Sequence, residues 1–184
     1  PGPLVASAGA LTPRKGHDIV IDAVAALPGV SLQIAGEGPE RPRLAAQIAR
    51  LGLGDRVKLL GSIAHGDLPP LLAAADVMTL ASSSEGLANA WAEALASGTP
   101  IVIPAAGGAV EVVTSSTAGR IAARTTPPFA AAIGELLPAP PQRAQMSRDP
   151  NRVGFELGEG DGLTGPSHDE GRLGGCGVDV RTGI

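Results

Sequence analysis

Short apolar runs alternate with amphipathic ones over the first 138 residues. Residues 4–8, 30–35, 57–60, 77–81, 101–103 and 119–122 are brief and rich in Val, Ile, Leu and Ala. They read as strands. Between them, residues 18–27, 40–53, 67–74, 88–97 and 128–137 carry helical spacing. In the first helix Ile19, Ala23 and Ala26 share a face; in the second, Leu44, Ile48 and Leu51 do. Continuous apolar strands alternating with helices imply a parallel sheet covered on both sides, a doubly wound, Rossmann-like α/β fold. Such sheets bind ligands beyond the C-terminal ends of their strands. The loops at 9–16, 36–39, 82–86 and 104–109 all follow strands and so should gather on one rim.

Composition narrows the classes of function. The chain has 184 residues, 43% of them hydrophobic, but only 2% aromatic and with no Tyr. Proteins that stack nucleic-acid bases depend on aromatic faces. The net charge of −4 and the lack of a basic run also disfavour a polyanion partner. No apolar segment is long enough to span a membrane, and no signal sequence opens the chain. The single Cys176 has no partner for an internal disulfide and no metal-ligand company. A cytoplasmic setting is therefore expected.

The richest stretch runs from Ser82 to Pro100. A turn, Ser82-Ser83-Ser84-Glu85-Gly86, precedes a helix-forming run that Gly98 and Pro100 end. Glu85 and Glu93 stand eight positions apart. At a helical rise of about 1.5 Å per residue they lie at most roughly 12 Å apart, about the distance from the hexose to the ribose of a nucleotide sugar. One carboxylate can serve hydroxyls at each end, with the diphosphate on the amides of the helix N-terminus. The spacing equally fits a helix with a solvated acidic first turn.

These residues resemble the signature of the family 4 retaining glycosyltransferases, which have the two-domain GT-B fold. The resemblance lies in Glu85 and Glu93 with Ala94-Leu95-Ala96-Ser97-Gly98-Thr99-Pro100-Ile101-Val102. Three further motifs agree in order. Gly9-Ala10-Leu11-Thr12-Pro13-Arg14-Lys15-Gly16-His17-Asp18 resembles the first phosphate loop, Ile34-Ala35-Gly36-Glu37-Gly38-Pro39-Glu40 the second strand and turn, and Gly107-Gly108-Ala109-Val110-Glu111-Val112-Val113 the last loop. The match covers roughly residues 4–137 and only the family's C-terminal, donor-binding domain.

The resemblance implies roles residue by residue. Lys15 would hold the diphosphate, where the bare sequence shows a lysine in a Gly-bounded loop that can equally be solvated. Glu85 would meet the donor sugar and the reacting centre, and Glu93 the ribose diol. A carboxylate suits both, having two oxygens that only accept. Gly86, Leu87 and Ala88 would cradle sugar and phosphate with their amides. Gly107 and Gly108 would turn beside phosphate or sugar, or form a plain tight turn. Arg14 would assist Lys15 or face solvent. Glu111 fits a helix first turn. Trp91 reads better as a packing residue than as a stacking platform, and His17 as a helix-start residue. The family usually has Arg directly after the first loop glycine. Here that position is Ala10, so a charge-assisted phosphate contact is missing unless Arg14 substitutes.

The implied activity is transfer of a hexose from a UDP- or GDP-sugar to an acceptor hydroxyl, with retention and without metal or cofactor, since no Asp-x-Asp pair follows a strand. The family's acceptor domain would precede Pro1, and membrane contact would be possible only through that absent domain. Alone, the fragment is expected to be inactive. A non-catalytic nucleotide-sugar-binding module or decayed copy is the alternative, favoured by Ala10 and by the tail. A nicotinamide dehydrogenase is disfavoured because the first strand lacks Gly-x-Gly-x-x-Gly.

Residues 139–184 lack apolar periodicity and read as disordered or as a frameshifted tail. The family places a helix there that ends in a motif like Phe-Ser-Trp-Glu. Phe155-Glu156-Leu157-Gly158-Glu159-Gly160 can be encoded TTC GAG CTG GGA GAA GGC. Read one base later, that DNA gives Ser-Ser-Trp-Glu-Lys-Ala. Sequencing the locus on both strands decides between the two readings.

Overall fold

A computed structural model describes residues 2–86 and 88–137 of the chain. Leu87 and the whole tail, with His168 and Cys176, lie outside the described residues. Six strands form one sheet: β1 (Leu4–Ala8), β2 (Ser31–Ala35), β3 (Val57–Gly61), β4 (Val77–Thr79), β5 (Ile101–Ile103) and β6 (Gly119–Ile121). Every ladder is parallel, and the spatial order is β3-β2-β1-β4-β5-β6. The chain winds outward from β1 to β3, returns to the middle at β4, and winds outward again. This is the doubly wound α/β arrangement, with its switch point between β1 and β4.

Side-chain alternation divides the core in two. Val5, Leu32, Ile34, Val77 and Val102 pack with Phe129 and the inner residues of α1 (His17–Ala25), α2 (Arg41–Arg50) and α6 (Thr126–Leu136). Their neighbours Ala6, Met78, Ile101 and Ile103 point the other way. They pack with Leu72 of α3 (Leu68–Ala74), Trp91 of α4 (Asn89–Ala96) and Val112 of the single-turn α5 (Ala109–Val112). A strand flanked by apolar layers on both faces needs no polar side, which is why β4 and β5 are buried at every position. Asp76 fastens the two central strands where they start. Its Oδ2 accepts the Leu4 amide at 2.8 Å, and its own amide donates to the Leu4 carbonyl at 2.8 Å.

Each expected element is present, with shifted ends. The fourth strand stops at Thr79, although Leu80 and Ala81 remain buried and the Leu80 amide still donates to the Val102 carbonyl at 3.4 Å. In α1 the buried set is His17, Val20, Ile21, Ala23 and Val24, and Ala26 is exposed. The single stripe expected through Ile19, Ala23 and Ala26 is thus too narrow, since α1 packs on the sheet, on α2 and on α6 together. Among the described residues no helix is long and apolar enough to cross a membrane.

Candidate functional site

The loop after β1 ends in a 3-10 turn, Pro13–Lys15, and then Gly16. Proline presets φ at the start of that turn. Gly16 has φ 66°, and a Cβ there would lie 2.2 Å from the Ala81 carbonyl oxygen. Only glycine therefore lets this loop settle on the one that follows β4. The two loops are stitched further by the Ser83 amide, which donates to the Arg14 carbonyl at 2.8 Å, and by Arg14 Nη1, which donates to the Ser84 carbonyl at 3.3 Å.

At this seam the Lys15 ammonium forms an ion pair with Glu85 Oε1. Ser82 Oγ donates to the same oxygen at 2.6 Å. The side chains of Lys15 and Glu85 are 14% and 9% exposed, so the pair is largely withdrawn from water. Burial alone would push the Glu85 carboxyl up. Hydrogen bonds from Lys15 and Ser82, with the charges of Lys15 and Arg14, outweigh it and hold the carboxyl below its usual range. Glu85 is thus ionised at neutral pH.

His17, the first residue of α1, lies behind the same loop. It is 2% exposed, and its Nδ1 shares a hydrogen bond of 3.2 Å with the buried Ser7 hydroxyl. Its Nε2 is buried without a well-formed hydrogen bond, facing the Gly9–Ala10 backbone. Desolvation dominates and lowers its pKa from 6.5 to about 4, against a small opposing contribution from the Gly9 and Ala10 backbone. The ring is therefore neutral at pH 7.

Glu93 lies in the middle of α4, and its Oε2 is buried without a partner among the described residues. Trp91, two residues earlier, is fully buried in the second core layer, as a packing residue should be. The helix starts at Asn89, and Ala88 before it is extended, with φ −73° and ψ 123°. Helical rise therefore does not set the distance from Glu85 to Glu93, contrary to the limit drawn from their spacing. Gly86 precedes the helix, and its carbonyl accepts the Gly108 amide at 3.2 Å. The first turn of the helix, and with it the amides of its N-terminus, begins at Asn89 rather than at Gly86. Leu87 lies outside the described residues.

An unpartnered buried carboxylate oxygen costs about 1–3 kcal/mol. Glu93→Leu is expected to raise the stability of the ligand-free domain by about 1 kcal/mol and to weaken nucleoside diphosphate binding about tenfold. Urea melts and UDP titrations of one preparation check it. A fall in both quantities would mean that Glu93 serves the fold alone.

A family model described as "Glycosyl transferases group 1" matches residues 1–150. The chain belongs to the group 1 glycosyl transferases. It is 44% identical over 100 residues to a lipopolysaccharide core biosynthesis glycosyltransferase, LpsE, from Rhizobium meliloti, covering 54% of this chain and 29% of that one. It resembles the crystal structure of Anabaena Alr3699/HepE in complex with UDP and glucose, with TM-score 0.72 and 32% identity, over 80% of this chain and 42% of that one. The C-terminal domain of a glycosyl transferase group 1 family protein, LpcC, from Francisella tularensis shares the fold at TM-score 0.70 and 22% identity; the match covers 80% of this chain and 82% of that domain. This chain spans about a third of the length of the curated relatives it matches.

In this member of the family the remaining predicted residues divide into two groups. Gly107 and Gly108 join the seam. Gly107 has φ 52°, and a Cβ there would lie 2.0 Å from the Glu85 carbonyl oxygen. Their turn therefore supports the Glu85 loop directly. Glu111 falls in the first turn of α5, and Ala10 is exposed on the rim. Sequence reading missed Arg124, whose Nε donates to the Ala81 carbonyl at 2.7 Å and whose Nη2 donates to the Pro13 carbonyl at 3.2 Å. The available signal was an arginine just beyond the last strand, on the ligand-facing rim. Among the described residues no three His, Cys, Asp or Glu side chains are grouped to hold a metal ion.

Proposed function

We propose that this chain is the donor-binding, C-terminal half of a family 4 type, retaining GT-B glycosyltransferase that takes a UDP- or GDP-sugar without metal. The observation that carries the proposal is the Lys15–Glu85 pair at the switch point between β1 and β4. That is where ligands meet a doubly wound sheet. The similarity to an enzyme crystallised with UDP and glucose supports a nucleotide-sugar donor. The near-complete overlap with a C-terminal domain supports the assignment to that half.

In this reading the diphosphate draws the Lys15 ammonium toward itself and is stabilised as its charge grows. Arg14, exposed beside Ser84, supplies a second cation. Both hydrogen bonds to Glu85 fall on Oε1, which leaves Oε2 for a sugar hydroxyl at the reacting centre. Glu93 Oε2 gains the ribose diol as its missing partner, while the start of α4 and the backbone around Gly86, Leu87, Ala88, Gly107 and Gly108 line the sugar and phosphate. The acceptor hydroxyl, held by a preceding domain, attacks the face that the diphosphate leaves, so no covalent enzyme nucleophile is needed. Calorimetry with UDP and with GDP, each with and without chelator, tests the reading. Binding that disappears with chelator contradicts the metal-free mechanism, and no binding of either nucleotide contradicts the donor site.

The second reading, a non-catalytic or decayed nucleotide-sugar module, is favoured by Ala10 in the place of the family's arginine. Because Ala10 is exposed, Ala10→Arg is expected to fold normally and to tighten UDP binding about tenfold. Uridine binding should stay unchanged, and the gain should shrink with salt. An equal change for both ligands would show that the loop does not face phosphate.

A further inference from the structure

We propose that Arg124 is a positioning residue for the Lys15–Glu85 pair: its guanidinium ties together, from behind, the two loops that carry the pair. The inference rests on the donor-site reading for its functional consequence and on the geometry alone for its structural one. Arg124 stands three residues beyond β6, just before Thr125 caps α6. It belongs to neither loop. Yet its two hydrogen bonds reach both, at the Ala81 and Pro13 carbonyls. Ala81 directly precedes Ser82, which donates to Glu85. Pro13 begins the turn that ends in Lys15.

The geometry suits arginine in particular. A planar fork offers donors that diverge at fixed angles, so one side chain can satisfy carbonyls on two separate segments. A lysine ammonium at the end of a flexible stem has no such fork. The Ala81 carbonyl is also the atom against which Gly16 is seated, so Arg124 holds the contact on which the Lys15 loop rests. Without this tie, Lys15 and Glu85 keep their mutual attraction, but the pair is free to drift relative to α4 and Glu93. Arg124 thereby couples the corner between β6 and α6 to the opposite strands at the centre of the sheet.

The test compares the full chain with Arg124→Gln and Arg124→Lys. In the absence of ligand, amide hydrogen exchange at residues 10–16 and 81–86 should quicken about tenfold in Arg124→Gln, with β1 and β5 unchanged. Arg124→Lys, which keeps the charge but lacks the fork, should behave in the same way and serves if the glutamine variant does not fold. UDP binding should weaken about tenfold and uridine binding should not change, because only the diphosphate depends on Lys15. Faster exchange across the whole sheet, or an equal loss for UDP and uridine, would reduce Arg124 to a general structural role. Unchanged exchange in both loops would overturn the proposal. A parent chain that binds no UDP would sink the donor-site reading and leave hydrogen exchange to decide on Arg124.

Discussion

Lys15→Ala is expected to lower the stability of the domain by about 3 kcal/mol and to remove nucleoside diphosphate binding. The two losses have separate causes. Without Lys15, Glu85 is an ionised carboxylate withdrawn from water, with Ser82 as its remaining hydrogen-bond donor. Removing one partner of a buried pair typically costs about 3–5 kcal/mol, and a pair on a rim belongs at the low end. The double variant Lys15→Met, Glu85→Gln separates the causes. It leaves no stranded charge, so stability should return to within about 1 kcal/mol of the parent. Binding should not return, because the cation proposed to meet the diphosphate is still missing. Trp91, the single tryptophan and fully buried, reports unfolding by fluorescence. A Lys15→Ala variant as stable as the parent would mean that water reaches Glu85 freely. Recovery of binding in the double variant would mean that Lys15 does not meet phosphate.

Acid should destabilise the domain well before its carboxylates protonate, and His17 is the reason. The folded imidazole titrates at about 4, below its ordinary 6.5. Between those values the unfolded chain binds a proton that the folded one refuses. The stability due to neutral His17 is therefore complete above pH 6.5, declines as pH falls, and is lost by about pH 4. The gap corresponds to about 3 kcal/mol. Glu85 acts in the same direction but in a lower window, since its carboxyl titrates below 4.5. His17→Asn keeps a polar atom for the Ser7 hydroxyl and removes the titration. Its urea midpoint should stay level between pH 7 and pH 5, where that of the parent falls. Parallel curves for the two proteins would place the proton uptake elsewhere.

How much of this could be read from the sequence depended on the range of the interaction. Apolar strands such as Ile101-Val102-Ile103 announce themselves because burial on both faces removes any polar position. The parallel sheet and its ligand rim followed from alternation alone. Lys15 and Glu85 were legible as candidates, since each lies in a glycine-bounded loop after a strand. Their pairing was not, because 70 residues separate them and no local pattern encodes a contact across the switch point. The start of α4 was misplaced by one residue, because Ala88 favours helix in isolation and only the fold makes it extended. The place of Arg124 just beyond the last strand was legible, but its role was hidden for the same reason as the pair. Its partners are carbonyl oxygens, which every residue possesses, so no side-chain type marks them.

The seating of Gly16 on the Ala81 carbonyl and of Gly107 on the Glu85 carbonyl has a consequence for how this enzyme family can diversify. The seat of the charged pair is made where main chain touches main chain, and a side chain of any kind would pry those contacts apart. Two sites on the same rim carry no such restriction: Ala10 is open to solvent, and Val110 is 69% exposed. Variation is thus channelled. A side chain at either glycine would clash with main chain whatever the substrate, while changes at Ala10 and Val110 alter what the rim presents to its surroundings without unsettling the contacts beneath. The surface of the rim can therefore change many times over on an unaltered foundation.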